Sequence, residues 1–260
     1  MIVYAQRARE AYGDVAVVIG GVEASLRRFA HFDYWQNRIR RSILLDSRAD
    51  LLVYGMGESQ VVRIADRLAQ KEDVDRIRDV RGTLFALREG EKIPFEHSVV
   101  LPSFEEVSKN HNHFNRATRL IYEHANPYTS RPLIQHYGKR PLVQLPPPLP
   151  LSEKEMDAIY DLPYTRKPHP AYTHPIPAYE MIKNSITILR GCFGGCSFCS
   201  IALHQGKFVQ SRSAGSVLRE AEKVAGEDGF DGTITDLGGP TANMYTMKGM
   251  DEKRCANCSR

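Results

Sequence analysis

Apolar residues recur along this chain at two periods, and the switches between them mark out its elements. Ile2 to Ala11 reads as helix. Val15 to Ile19 and Leu51 to Tyr54 are short apolar runs that end at glycines and read as buried strands, and Val61 to Ala69 returns to helical spacing. This alternation over residues 1–125 predicts an α/β domain of the doubly wound kind. Gly20-Gly21 and Gly55-x-Gly57 follow the two strands, where such sheets place ligands and where ordinary strand-to-helix turns also need glycine. Much later, Ser185 to Leu189 is a β-rich apolar run. Ser216 to Ala225 then carries Val217, Leu218, Ala221 and Val224 at helical spacing, with Gly226 and Gly229 as stop signals. Gly232 to Leu237 reads as another strand, ending in Gly238-Gly239-Pro240. Strand, loop, helix, strand is a βαβ unit, and in barrels of such units the loops at the carboxyl ends of the strands share one face.

Between these regions the pattern breaks down. Residues 126–177 hold 12 of the 15 prolines, which disfavours helix and sheet interiors and predicts an extended linker or strap, interrupted by a short helix near Glu153 to Tyr160. Tyr164, His169, Tyr172 and His174 suggest a strap packed on protein; its histidines suit a substrate pocket or, more commonly, surface positions. Near the start, Arg27, Arg28, Arg38, Arg40, Arg41 and Arg48 interleave with Phe29, Phe32, Tyr34 and Trp35. Such a mixture can hold phosphates and stack on bases, making an RNA substrate thinkable; a solvated face paired with Glu23, Asp33 and Asp46 is the plainer reading.

Composition narrows the class. With 260 residues, 42% of them hydrophobic, the chain has material for one large core or two modest ones, and a net charge of +4 demands no nucleic-acid partner. Arg7, Arg9 and Glu10 in the first helix exclude a secretory signal there, and no apolar run is long enough to span a membrane. Five cysteines fall as three plus two, with none before position 192. That grouping argues for metal binding in a reducing compartment, with cytoplasm the expectation, and against a disulfide framework.

The most informative chemistry lies in Cys192-Phe193-Gly194-Gly195-Cys196-Ser197-Phe198-Cys199. Three thiolates on one short loop suit a four-iron cluster with one iron open to a reacting ligand. Gly191, Gly194 and Gly195 let the backbone turn tightly around a bulky group and point N–H donors inward. Structural zinc, with Cys255 or Cys258 as fourth ligand, is the alternative, although zinc loops usually pair their cysteines evenly.

This loop, with an aromatic residue just before its third cysteine, resembles the signature of radical S-adenosylmethionine (SAM) enzymes. Residues 17–35, 42–58, 189–213 and 234–245 further resemble the YgiQ-type branch. The resemblance implies a [4Fe-4S] cluster held by Cys192, Cys196 and Cys199, with SAM on the open iron. Reductive cleavage of SAM would then yield a 5′-deoxyadenosyl radical that abstracts hydrogen from a substrate of unknown identity. It implies Phe198 beside the adenine, Gly238 and Gly239 at the amino end of SAM, and an electron donor such as flavodoxin or ferredoxin. Pro240 stands where the family has an acid, which leaves that contact to backbone carbonyls or Thr241.

By this reading residues 1–125 form an α/β domain like the cobalamin-binding domains of relatives, residues 126–184 a proline-rich strap, and residues 185–260 the start of a radical SAM partial (βα) barrel. The Asp-x-His-x-x-Gly cobalamin motif is absent, and so are the N-terminal cysteines of the methylthiotransferases. The chain is expected to be an internal fragment, inactive alone toward SAM, with Cys255 and Cys258 a separate metal pair. A non-catalytic zinc or iron–sulfur protein, or an RNA-binding protein, is the alternative.

Overall fold

The computed structural model describes residues 1–240 and 244–248, and its residues divide into two compact units. The first comprises Met1–Leu149 with Phe198–Gly206; the second comprises Pro150–Ser197 with the described residues from Lys207 onward.

In the first unit the chain runs α1 (Ile2–Tyr12), β1 (Val18–Ile19), α2 (Gly21–Leu26), β2 (His31–Asp33), β3 (Arg38–Arg40), α3 (Ile43–Ser47), β4 (Leu51–Val53) and α4 (Glu58–Ala69). It continues through β5 (Thr83–Ala86), β6 (Val99–Val100), α5 (Phe104–Lys109), α6 (His111–Glu123), β7 (Leu133–Tyr137) and β8 (Arg140–Gln144). Six of these strands make one mixed sheet in the order β1-β4-β5-β8-β7-β6. β1 and β4 are parallel, as are β6 and β7, while the three pairings between them are antiparallel.

The sheet is covered on both sides, as period-two alternation requires of strands without a polar face. Leu52, Leu84, Leu133 and Leu142 join Ile19, Ala24, Phe29 and Ile43 in one core. Their sequence neighbours Leu51, Val53, Phe85, Ile134 and Val143 point the other way, into a second core with Ile64, Ile77 and Val80. β2 and β3 form a separate two-stranded ribbon.

The predicted elements at Ile2, Leu51 and Val61 are present within a residue or a few. Residues 126–177 depart from the strap reading, because β7 and β8 lie inside the sheet with Leu133, Ile134, Leu142 and Val143 fully buried. Proline density misled here because proline removes only the donor: Pro132 precedes β7 and its carbonyl accepts Val99 N–H, and Pro141 lies in β8 opposite His136 with its carbonyl accepting Leu87 N–H.

The second unit contains α7 (Glu153–Tyr160), α8 (Pro177–Ile182), β9 (Ser185–Thr187) and β10 (Leu189–Arg190). Helix α9 (Ile201–His204) then falls in the first unit, and β11 (Gln210–Ser211), α10 (Ala214–Ala225) and β12 (Asp236–Gly238) return to the second. β9 and β12 are parallel and joined through α10, so the predicted strand–loop–helix–strand unit is present. The run from Ser185 to Leu189 breaks at Ile188: β9 pairs with β12, and β10 turns to pair antiparallel with β11.

α7 is closed by a capping box in which Ser152 Oγ accepts from Glu155 N–H and the Glu155 carboxylate accepts from Ser152 N–H. α10 begins at Ser213, whose Oγ accepts from Ser216 N–H. Its inward side is not the stripe expected: Leu218 is exposed, while Ser216 and Val224 are buried. Two polar residues, Ser216 and Glu220, take inward positions because they serve a buried arginine.

Candidate metal and cofactor site

The cysteine loop starts where β10 ends. Gly191 has φ +82°, a left-handed conformation that admits glycine at little cost, and it turns the chain from Arg190 into Cys192. Cys192 is buried at 5% exposure, Cys196 is exposed and Cys199 half-buried. Gly194 N–H points at the Cys192 Sγ, 3.3 Å away. A methyl at Gly194 would stand 3.2 Å from that sulfur and 3.9 Å from the Cys196 Sγ, so the loop leaves room beside both sulfurs that a side chain would fill.

Among the described residues no group of three His, Cys, Asp or Glu side chains is close enough to hold a metal ion. The donor set, the glycine cradle and the N–H directed at sulfur nevertheless fit a thiolate-held iron–sulfur group, whose sulfurs need such donors.

The glycine pair lies beside the root of this loop. β12 runs in register with β9, Gly238 opposite Thr187, and Ile188 N–H donates to the Gly238 carbonyl at 2.8 Å. A Cβ on Gly239 would come within 2.5 Å of Leu189 Cγ and 3.0 Å of its carbonyl oxygen. A Cβ on Gly238 would meet the Asp236 carboxylate at 2.6 Å. Gly239 therefore requires glycine for its close approach to Leu189, three residues before Cys192, whereas the Asp236 side chain can turn aside for a Cβ at Gly238. Phe198 is 89% exposed. Thr241, Cys255 and Cys258 lie outside the described residues.

The brace behind the loop has no local sequence signal. Arg212 is fully buried; it donates to Thr187 O and Ser216 Oγ, pairs with Glu220, and lies 4.2 Å over the Tyr160 ring. Arg190 approaches the same ring at 4.9 Å and donates from Nε to the Tyr160 hydroxyl at 2.9 Å. Arg166, in left-handed conformation at φ +53°, donates to the carbonyls of Lys183 and Ser185 and pairs with Glu220. Three arginines around one tyrosine and one glutamate thus tie α7, α10 and the strap to the strands that lead into Cys192. Asp157 adds to this by accepting Ser213 N–H at 2.9 Å. Burial alone would raise its carboxyl, but the hydrogen bonds from Ser213 and the Arg212 charge outweigh that and hold it below the usual range.

On the far side of the loop, α9 is held in the first unit by a buried serine. Ser25 Oγ donates to the Gly21 carbonyl, accepts Gly55 N–H at 2.9 Å, and lies 2.9 Å from His204 Nδ1. The two glycine turns after β1 and β4 are therefore occupied by the protein itself at these atoms. His169 and His174 are both exposed. No helix of the described residues is long and apolar enough to cross a membrane.

Comparisons place this architecture. A family profile described as Radical SAM N-terminal matches residues 1–185, stopping just short of the cysteine loop. The chain is 49% identical over its whole length to a UPF0313 protein of Bradyrhizobium diazoefficiens and covers 42% of that protein. It is 53% identical over 94% of its length to a UPF0313 protein of Geobacter sulfurreducens, covering 40%, and 48% identical to one from Methanocella arvoryzae, covering 41%. The chain thus spans about two-fifths of these curated relatives. No solved structure matches. With its α/β sheet, its YgiQ-type segments and a profile match over most of its length, the chain belongs to the Radical SAM N-terminal family.

Proposed function

We propose that this chain carries the cluster-binding part of a radical SAM enzyme, with Cys192, Cys196 and Cys199 holding a [4Fe-4S] cluster and leaving one iron for SAM. The observation that carries this reading is the three-cysteine loop at the end of β10, directly after a segment matched by the Radical SAM N-terminal family. When bound, the cluster would supply the electron that cleaves the SAM sulfonium to a 5′-deoxyadenosyl radical.

The chain's own residues have simpler tasks. Gly194 N–H donates to sulfur, and Gly191 fixes the direction in which the loop leaves β10. Gly238 and Gly239 keep the strand end beside Leu189 free of side chains, so that the amino end of SAM can be met by backbone groups, with Thr241 as a further contact. Phe198, exposed next to Cys199, offers a ring face for the adenine. The substrate, the electron donor of flavodoxin or ferredoxin type, and a cytoplasmic setting belong to the same proposal.

Anaerobic reconstitution tests it. Iron and sulfide should be retained near four each per chain, with a reduced-state EPR signal that changes on adding SAM. Single replacement of Cys192, Cys196 or Cys199 by Ala should abolish stable retention, whereas Cys255→Ala should leave the SAM-sensitive signal in place. Full occupancy in all three loop variants would defeat the assignment.

A further inference from the structure

We propose that the β2–β3 ribbon is a binding site for single-stranded RNA, separate from the cysteine loop. Trp35, the single tryptophan of the chain, stands at the ribbon's tip at 89% exposure, with Tyr34 beside it at 80%. Their rings meet edge-on, centroids 5.9 Å apart at 77°, so each keeps a face open to solvent. Two large exposed rings at the tip of the ribbon cost solvation and pack on each other rather than into a core, and open ring faces are what unstacked bases bind.

The charge beside them is organised. Gln36 Oε1 accepts both Arg38 Nε at 2.8 Å and Arg40 Nη1 at 2.7 Å, so a neutral amide holds two guanidinium groups together. Among the described residues Arg38 has no carboxylate partner; its register partner Asp33 instead accepts Gln36 N–H at 3.1 Å. Arg40 and Arg41 share Asp46, the former at a long 3.4 Å, and Arg27 pairs with Glu23. The ribbon itself, His31 to Arg40, carries Arg38 and Arg40 against Asp33, a local excess of positive charge that Arg41 extends.

Cations able to take phosphates, next to rings able to take bases, match a single strand; a duplex would present no free base face. Asn37, exposed at the tip with φ +47°, offers an amide able to donate to and accept from a 2′-hydroxyl, the group by which RNA differs from DNA.

Because Trp35 is the sole tryptophan, emission from the full chain reports on this ribbon alone. An oligouridylate is expected to quench it, with affinity falling with salt at a log–log slope of about −1.4, two phosphates at about −0.7 each. Arg38→Ala should reduce that slope by about half. Trp35→Ala, followed by anisotropy of a labelled oligouridylate, should weaken binding about tenfold, the equivalent of about 1.4 kcal/mol. Both side chains project into solvent, so circular dichroism should not change. Emission unaffected by the oligomer at low salt would overturn the proposal, as would wild-type affinity in Trp35→Ala. A shift that follows protein concentration without nucleic acid would make the ribbon a contact between copies and overturn it too. Equal affinity for an oligodeoxythymidylate would overturn the choice of RNA.

Discussion

Some side chains in this protein are placed by neutral partners rather than by opposite charges. Arg28 is buried with no carboxylate partner among the described residues: its guanidinium donates to Gln144 Oε1 at 2.6 Å and to the Ser25 carbonyl, and lies 4.8 Å over the Tyr54 ring. Burial pushes its pKa down, and the neighbouring Tyr54 pushes back. Gln144 sits on β8 and is itself buried, so the arrangement depends on one amide. Replacing it by leucine removes a hydrogen bond to a charged group and leaves the guanidinium poorly solvated. Gln144→Leu should therefore cost about 2 kcal/mol of stability, read as a lower urea midpoint with unchanged slope. Nothing in the sequence distinguishes Arg28 from the exposed arginines around it. The difference is made by Gln144, 116 positions away.

Elements were legible where a local pattern sufficed and obscure where long-range pairing decided. α1, α4, α7 and the β9–α10–β12 unit follow from spacing and capping residues such as Ser152 and Ser213. β7 and β8 did not, because their prolines outweighed a pattern that only pairing with β5 and β6 makes intelligible. In the candidate site the cysteine triplet stood out by its spacing and Gly238-Gly239 by resemblance, but the Arg212–Tyr160–Glu220 brace did not, since Tyr160 lies more than 50 residues before its partners. The hidden brace has a pH signature. Asp157 has a depressed folded-state pKa, so its contribution is complete above the unfolded aspartate value and is lost as pH falls through the lower folded value. Asp157→Asn should lower the melting temperature at neutral pH. The difference from wild type should shrink and vanish as pH drops below the ordinary aspartate value of 3.8. A difference that persisted unchanged into that acid range would show that the charge of Asp157 plays no part.

At the scale of the molecule, the order β1-β4-β5-β8-β7-β6 has a consequence in time. β1 and β4 can pair early, but the inner edge of β5 must wait for β8, roughly 60 residues further along, before its ladder is filled. At synthesis rates of about 5–20 residues per second that is a delay of roughly 3–12 s. During it Leu84 and Phe85 have no cover on that side, and β6 likewise waits for β7. Ribosome-bound chains halted before Arg140 should be cut readily by protease around residues 83–86, whereas chains extended well past Gln144 should resist. Equal resistance in both would mean that β4 alone shelters β5. A polypeptide with such a schedule spends its first seconds as a client of whatever binds unpaired strands at the ribosome, so its yield in a cell is set by translation speed between Ala86 and Gln144 as much as by the stability of the finished sheet.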